Sequence, residues 1–478
     1  MTFTDIPFIA VFLFIIDLIV RIFLLIYIPK NRKPTAATAW LLLIFIMPIF
    51  GTVLFAVLGS TQLSRIRRRK QLEITKAYKK LSVSLPSASD IPPVYQPMAA
   101  LATSLTKLPA TSLNTIKVLT DYDNAINDMA AKIAQAKRYV YVEFYAMTLD
   151  STTEPFFQAM EKAVKNGADV YVLFDTFGSK KYKGYKPMQS RLTSAGIRWA
   201  IMLPTRLPLR GYTRPDLRNH RKIVAIDNKF AYIGSLNMID KTYHRKDTIS
   251  YIELVVRTMG PSVQQLAAVF AGDWYSETNE KIRHFTTELP NVNKGSLNVQ
   301  VIPSGSAYPH PNNLYFMTML VHSARTSIHI TNPYLVPDAS LLSALIAAAQ
   351  RGVHVSILNS EVMDQWMVGN AQRSYYNELL AAGVHISLYH QPQLVHEKFM
   401  VIDQSMVIIG SSNLDIRSFE LNMECMLAVY DASLAKKLAR HHTQLLQNSQ
   451  QLPTRNWRAR SLRRAILESL SRLASALQ

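Results

Sequence analysis

One frame of polar residues occurs twice in this chain and sets the terms for any fold it can adopt. His220, Lys222, Asp227, Ser235 and Asn237 stand at offsets 0, 2, 7, 15 and 17, and His396, Lys398, Asp403, Ser411 and Asn413 repeat those five offsets. The first copy reads as a hairpin, because the β-rich runs 223–226 and 230–233 are joined at Asp227-Asn228. Residues two apart on a strand share a face, so His220 points with Lys222 and His396 with Lys398. A single histidine beside a lysine is usually a surface accident. Two copies in one frame are not, and they predict one site built from two equivalent lobes.

The paired motifs H-x-K-x4-D and G-S-x-N resemble the HKD motifs of the phospholipase D superfamily, over roughly residues 110–450. Residues 31–51, from Asn31-Arg32-Lys33-Pro34 through Ala39-Trp40 to Pro48-Ile49-Phe50-Gly51, also resemble the N-terminal segment of bacterial cardiolipin synthases. The resemblance implies an α/β fold of two pseudo-symmetric lobes of mixed sheet flanked by helices, behind an N-terminal two-helix transmembrane hairpin. The divisions expected are 1–64 for the hairpin, 65–110 for a basic linker, 111–290 and 291–450 for the lobes, and 451–478 for a basic amphipathic tail.

The residues support this outline locally. Asn166-Gly167 and Arg351-Gly352 each close a helix ahead of an apolar run, with glycine in the C-terminal capping place. Strands at 139–145 and 327–331, then near 170 and 353, then after Gly196 and Gly383, recur in the same order, as alternating α/β lobes require. Residues 6–28 form a 23-residue apolar run, and residues 36–58 a second of the same length without a charge. Each is long enough for a membrane helix. Asp17 and Arg21, one turn apart, can pair within the first. Three basic residues lie between the runs and six follow the second, which favours catalytic lobes on the cytoplasmic side of a bacterial inner membrane crossed more than once.

The formal net charge of +20 calls for an anionic partner, either nucleic acid or an acidic membrane surface. The one cysteine, Cys425, excludes an intrachain disulfide and reads as a buried small hydrophobe. Arg455, Arg458, Arg460, Arg463, Arg464 and Arg472 interleave with Leu462, Ile466, Leu470, Leu473 and Leu477 at helical spacing. Such a helix lies on anionic lipid or packs on the lobes.

Two imidazoles in one cleft can divide the work of phosphoryl transfer, one attacking phosphorus while the other donates to the departing oxygen. The resemblance implies a covalent phosphohistidine, with His220 as nucleophile and His396 as acid and then base, although the sequence does not fix that order. Lys222 and Lys398 are the candidates to stabilise charge on the phosphate, helped by Ser235, Asn237, Ser411 and Asn413. Glu253 and Glu424 are the candidates to orient the histidines. Asp227 and Asp403 belong to the motif but sit at hairpin turns, where a structural role outweighs direct chemistry. Arg214, Arg218 and Arg417 are candidate substrate contacts, with Arg206, Arg210 and the cluster Lys180, Lys181, Lys183 and Lys186 nearby. No set of residues has a recognisable metal-ligand spacing, and neither metal nor other cofactor is expected. Glu397 departs from the small or polar residue usual between histidine and lysine in the family, but on a strand it faces away from both.

The resulting expectation is transfer of a phosphatidyl group from one phosphatidylglycerol to another with release of glycerol, on anionic membrane lipid and without nucleic acid. A phospholipase D or transphosphatidylase with another acceptor remains open, as does a membrane-tethered nuclease. A noncatalytic scaffold is disfavoured by two complete motifs. Oligomeric state is not legible.

Overall fold

The computed structural model describes residues 5–60, 62–204, 213–243, 248–282, 295–453, 457 and 461–473. Arg206, Arg210, Arg455, Arg458, Arg460 and Leu477 lie outside the described residues. The chain divides into two units, Met1–Leu63 and Ser64–Gln478.

In the first unit, Asp5–Tyr27 is one helix whose 19-residue stretch Ile9–Tyr27 is long and apolar enough to cross a membrane. Asp17 and Arg21 pair along it at 2.7 Å. The second apolar run departs from expectation. It forms two helices, Pro34–Ile46 and Pro48–Leu58, of 13 and 11 residues, each too short to span alone. Pro48 lacks an N–H and crowds the residue before it, and Met47 accordingly leaves the helical region at φ −130° and ψ 78°. The transmembrane hairpin therefore reduces to one candidate span followed by a proline-broken helix pair. Gly51 lets that pair close up, since a Cβ there would lie 2.8 Å from Ile44 Cα.

The second unit is organised on one mixed sheet of 15 strands. From its middle outward, one half runs Thr111–Leu119, Val255–Met259, Phe230–Gly234, Lys222–Ile226, Tyr139–Phe144, Asp169–Asp175, Arg198–Met202. The other half runs Leu297–Ser304, Glu424–Val429, Met406–Gly410, Phe399–Ile402, Ser327–Thr331, His354–Ser360, His385–Tyr389, with Ser449–Gln451 added at its edge. Each strand of the first series has its counterpart in the second. The halves meet where Thr111–Leu119 pairs antiparallel with Leu297–Ser304. Each lobe has its own apolar core, around Val142, Phe156 and Phe174 in the first and around Ile330, Leu345 and Ile357 in the second. Gly167 and Gly352 end the corresponding helices at φ +88° and +89°, as their place in the sequence predicts.

The stretch 65–110 is largely helical. Arg65–Ser84 packs Ile74 and Tyr78 against Pro261–Thr278 around Gly272, and Arg67 forks onto Glu277 at 2.5 and 2.8 Å. At the other end, Leu462–Leu473 lies on Trp366–Ala381 through Arg472, which bonds Glu378 at 2.6 Å and sits over the Tyr375 ring. Glu468 and Ser471 are on its buried side, whereas Leu462, Ile466, Leu470 and Leu473 are exposed.

The motif hairpins turn through Asp227-Asn228 and Asp403-Gln404, all four at φ between 50° and 57°, which is the conformation of a type I′ turn. Asp227 accepts the backbone N–H groups of Lys137, Arg138 and Tyr139 at 2.7–2.9 Å. Asp403 does the same for Arg325, Thr326 and Ser327, between 2.7 and 3.1 Å. The aspartates thus tie each hairpin turn to the entry of the neighbouring strand. Replacing either by alanine strands these donors and should cost about 2–4 kcal/mol of stability, read as a fall in melting temperature, while activity per folded molecule changes less than about tenfold.

Candidate active site

Each motif histidine enters its strand along a segment that pairs with the opposite lobe. Asn219 bridges Met423, with His220 N–H donating to Met423 O at 2.8 Å and Met423 N–H donating to Arg218 O at 2.9 Å. Gln393–Val395 runs parallel to Ser250–Ile252, and His396 N–H donates to Ile252 O at 2.8 Å. The next residues after Met423 and Ile252 are Glu424 and Glu253. Each histidine is thereby placed beside a glutamate of the other lobe.

His220 Nδ1 lies 3.0 and 3.2 Å from the two Glu424 oxygens, and His396 Nδ1 lies 2.7 Å from Glu253 Oε1. Donation from Nδ1–H to a carboxylate leaves Nε2 of each ring as the titrating atom, a lone pair on a neutral ring and an N–H donor on a protonated one. Burial alone would raise both glutamates. The facing histidine and the nearby lysine hold both low instead, and the Ser411 hydroxyl adds to this at Glu424. Burial pushes His220 down to about 4, against the pull of Glu424, and lowers His396 likewise.

Ser411 holds Glu424 in place, whereas Ser235 braces the backbone next to Glu253 by donating to Leu254 O at 3.2 Å. Ser411 Oγ donates to Glu424 and accepts from Cys425 N–H at 3.0 Å; Ser235 Oγ accepts from Leu254 N–H at 2.9 Å. Lys222 and Lys398 each donate Nζ to the carbonyl of the histidine two residues back, at 2.8 and 2.6 Å. Both ammonium groups are buried, and burial lowers them to about 7 and about 8 despite nearby carboxylates. An anion brought beside them would favour their charged forms.

The residues between histidine and lysine point the other way. Arg221 is buried on Asp273 and donates to Glu424 O at 3.0 Å, while Glu397 meets His441 Nε2 at 2.9 Å. Glu397 thus faces away from the histidine pair, as its place on the strand predicts. Cys425 is fully buried in its strand.

A cavity of about 380 Å³ opens between the lobes, lined by His220, His396, Asn237 and Asn413. Arg218 and Arg417 reach it and Lys181 joins them, whereas Arg214 is paired with Asp216 at 2.5 Å and is not in the lining. Arg218 is held by Pro215 O at 2.6 Å, and Arg417 by Asp216 O at 3.0 Å. The lining also contains residues that the motifs do not announce. Tyr145 meets the His220 ring edge-on at 5.1 Å between centroids, and Tyr251 meets the His396 ring at 5.5 Å. Tyr334, Asp364 and Asp415 complete the lobe-two wall, with Asp415 pushed up to about 6 by burial. Tyr145 and Tyr334 each closely follow the second strand of their lobe, a regularity that superposing the two halves of the sequence would reveal.

Two matched lobes carrying the duplicated frame define a phospholipase D-like protein. A family model described as "Cardiolipin synthase, PLD-like domain" matches residues 129–274 and 317–446. The chain belongs to this cardiolipin synthase family. It is 31% identical over 451 residues to cardiolipin synthase A of Serratia proteamaculans, covering 92% of each chain. It is 31% identical over 458 residues to the cardiolipin synthase of Alkalihalophilus pseudofirmus, covering 94% of this chain and 90% of the relative. The crystal structure of phosphatidylserine synthase from Haemophilus influenzae shares the fold, with a TM-score of 0.60 at 14% identity over 80% of this chain and 100% of that one.

Proposed function

We propose that the protein joins two phosphatidylglycerol molecules into cardiolipin and glycerol. The observation that carries this reading is the pair of cavity-lining imidazoles, each oriented through Nδ1 by a carboxylate of the opposite lobe. In the first step, with His396 entering protonated and His220 neutral, His220 Nε2 forms a bond to phosphorus, the bond from phosphorus to the headgroup glycerol oxygen breaks, and that oxygen takes the proton from His396 Nε2. In the second, a glycerol hydroxyl of another phosphatidylglycerol bonds to phosphorus, its proton passes to His396, and the phosphorus–nitrogen bond breaks. Lys222 and Lys398 supply positive charge behind the histidines, and Arg218, Arg417 and Lys181 hold phosphate oxygens from the cavity wall. Helix Asp5–Tyr27 anchors the enzyme in the bacterial inner membrane, where both substrates reside.

The test is reconstitution in vesicles of phosphatidylglycerol, with lipid products and free glycerol followed together. Cardiolipin and glycerol in equal amounts are expected. Phosphatidic acid alone would make water the acceptor and the protein a phospholipase.

The lowered His220 also predicts a pH profile. A base whose pKa is depressed loses its neutral form only below the shifted value. With phosphatidyl-p-nitrophenol, whose leaving group needs no proton, kcat/KM should hold its plateau from pH 7 to about 5. A fall centred on pH 6.5 would show an ordinary imidazole instead.

A further inference from the structure

The two halves of the cavity match in their imidazoles and differ in their walls. The loops after Asp169–Asp175 and His354–Ser360 occupy equivalent places in the lobes, yet the first contributes Lys181 and the second Asp364. A carboxylate with unused acceptor positions in a cavity for phosphodiesters repels them and favours a hydrogen-bond donor. Asp364 accepts from Tyr334 OH at 2.6 Å and from Tyr251 OH at 3.2 Å, which leaves about two of its roughly four acceptor positions. Tyr251 is the tyrosine whose ring meets His396. Asn237 and Asn413 also line the cavity, are 3% and 5% exposed, and carry Oδ1 atoms without a partner among the described residues.

Asp364 thus borders the cavity with spare acceptor positions, beside two asparagines whose buried Oδ1 atoms have no partner among the described residues, while Asp415, the other carboxylate of this wall, is engaged by Ser418 N–H at 2.6 Å. A phosphodiester has no hydrogen to give Asp364 and the asparagines; a polyol headgroup does. We propose that Asp364, with the Asn237 and Asn413 carbonyl oxygens, forms a subsite for the free hydroxyls of a glycerol headgroup beside His396, so that Asp364 sets the preference for a polyol over a simple alcohol. The inference rests on the transfer reaction above, in which leaving and entering glycerol both pass His396. Asp364 is a specificity residue in this scheme and takes no part in bond making.

The full-length protein in mixed micelles is given phosphatidylglycerol labelled in its acyl chains, with labelled glycerol and 1-propanol competing as acceptors. Asp364→Ala and Asp364→Asn should lower the ratio of glycerol product to propanol product by about tenfold or more. Tyr334→Phe, which keeps the carboxylate, should shift it less than about threefold. A second readout needs no turnover: in a His220→Ala background, the affinity for phosphatidylglycerol relative to phosphatidylpropanol should fall on adding Asp364→Ala. An unchanged affinity ratio overturns the subsite, as does a Tyr334→Phe shift equal to that of Asp364→Ala, which would reduce the carboxylate to a tether for tyrosine. Wild-type protein that transfers to neither alcohol overturns the transferase reading instead, while the affinity ratio still judges the subsite.

Discussion

His220→Ala should abolish turnover, lowering the rate of cardiolipin formation by at least about 10⁴-fold, because the variant lacks the atom that bonds to phosphorus. The loss should persist with phosphatidyl-p-nitrophenol, since a better leaving group does not replace a missing nucleophile. His396→Ala should behave differently. Its first step with phosphatidylglycerol fails for want of an acid, but with phosphatidyl-p-nitrophenol a burst of nitrophenol should survive. A burst in His220→Ala and none in His396→Ala would exchange the two assignments. The side chains of both histidines are nearly buried, and alanine leaves a modest cavity at each, so circular dichroism and melting curves should accompany the rates.

The second large effect follows from the crossing of the lobes. Glu424→Gln removes the charge beside His220, and Glu253→Gln removes the charge beside His396, while each glutamine keeps the shape of the side chain it replaces. Each should reduce steady-state turnover by about 10²–10⁴-fold, the range seen when the orienting carboxylate of a catalytic histidine is neutralised. Pre-steady-state kinetics separate them. Glu424→Gln should slow the nitrophenol burst, although Glu424 follows the second motif in the chain, and Glu253→Gln should leave the burst and slow what comes after. The reverse pattern would mean that each glutamate acts on the histidine of its own lobe, against the 3.0 Å and 2.7 Å contacts.

Much of this arrangement is legible in the sequence because it repeats. The offsets of the two motifs predict matched hairpins, and the positive φ values at Asp227-Asn228 and Asp403-Gln404 are what such turns require. The glutamates are visible as candidates, but their crossed pairing is not. It depends on the bridge from Asn219 to Met423 and on the pairing of Gln393–Val395 with Ser250–Ile252, contacts between segments more than a hundred residues apart. The lysines share a face with the histidines in the sequence reading, yet their ammonium groups curl back onto the histidine carbonyls, a choice made by burial and not by strand period. Ser411 is likewise turned to Glu424, and Ser235 to the Leu254 backbone. The second apolar run looks continuous by hydropathy, although Pro48 marks where it breaks. Asp364 has no motif around it, and only the folded cavity sets it beside Tyr251 and Tyr334.

The most direct test of the central claim is to catch the intermediate. Full-length His396→Ala protein is mixed with phosphatidyl-p-nitrophenol, quenched during the burst, digested and examined by mass spectrometry. A phosphatidyl group on the peptide containing His220, in proportion to the nitrophenol released, is the predicted result. Nitrophenol release with the group on any other residue, or with no protein adduct, would contradict a transfer that passes through His220.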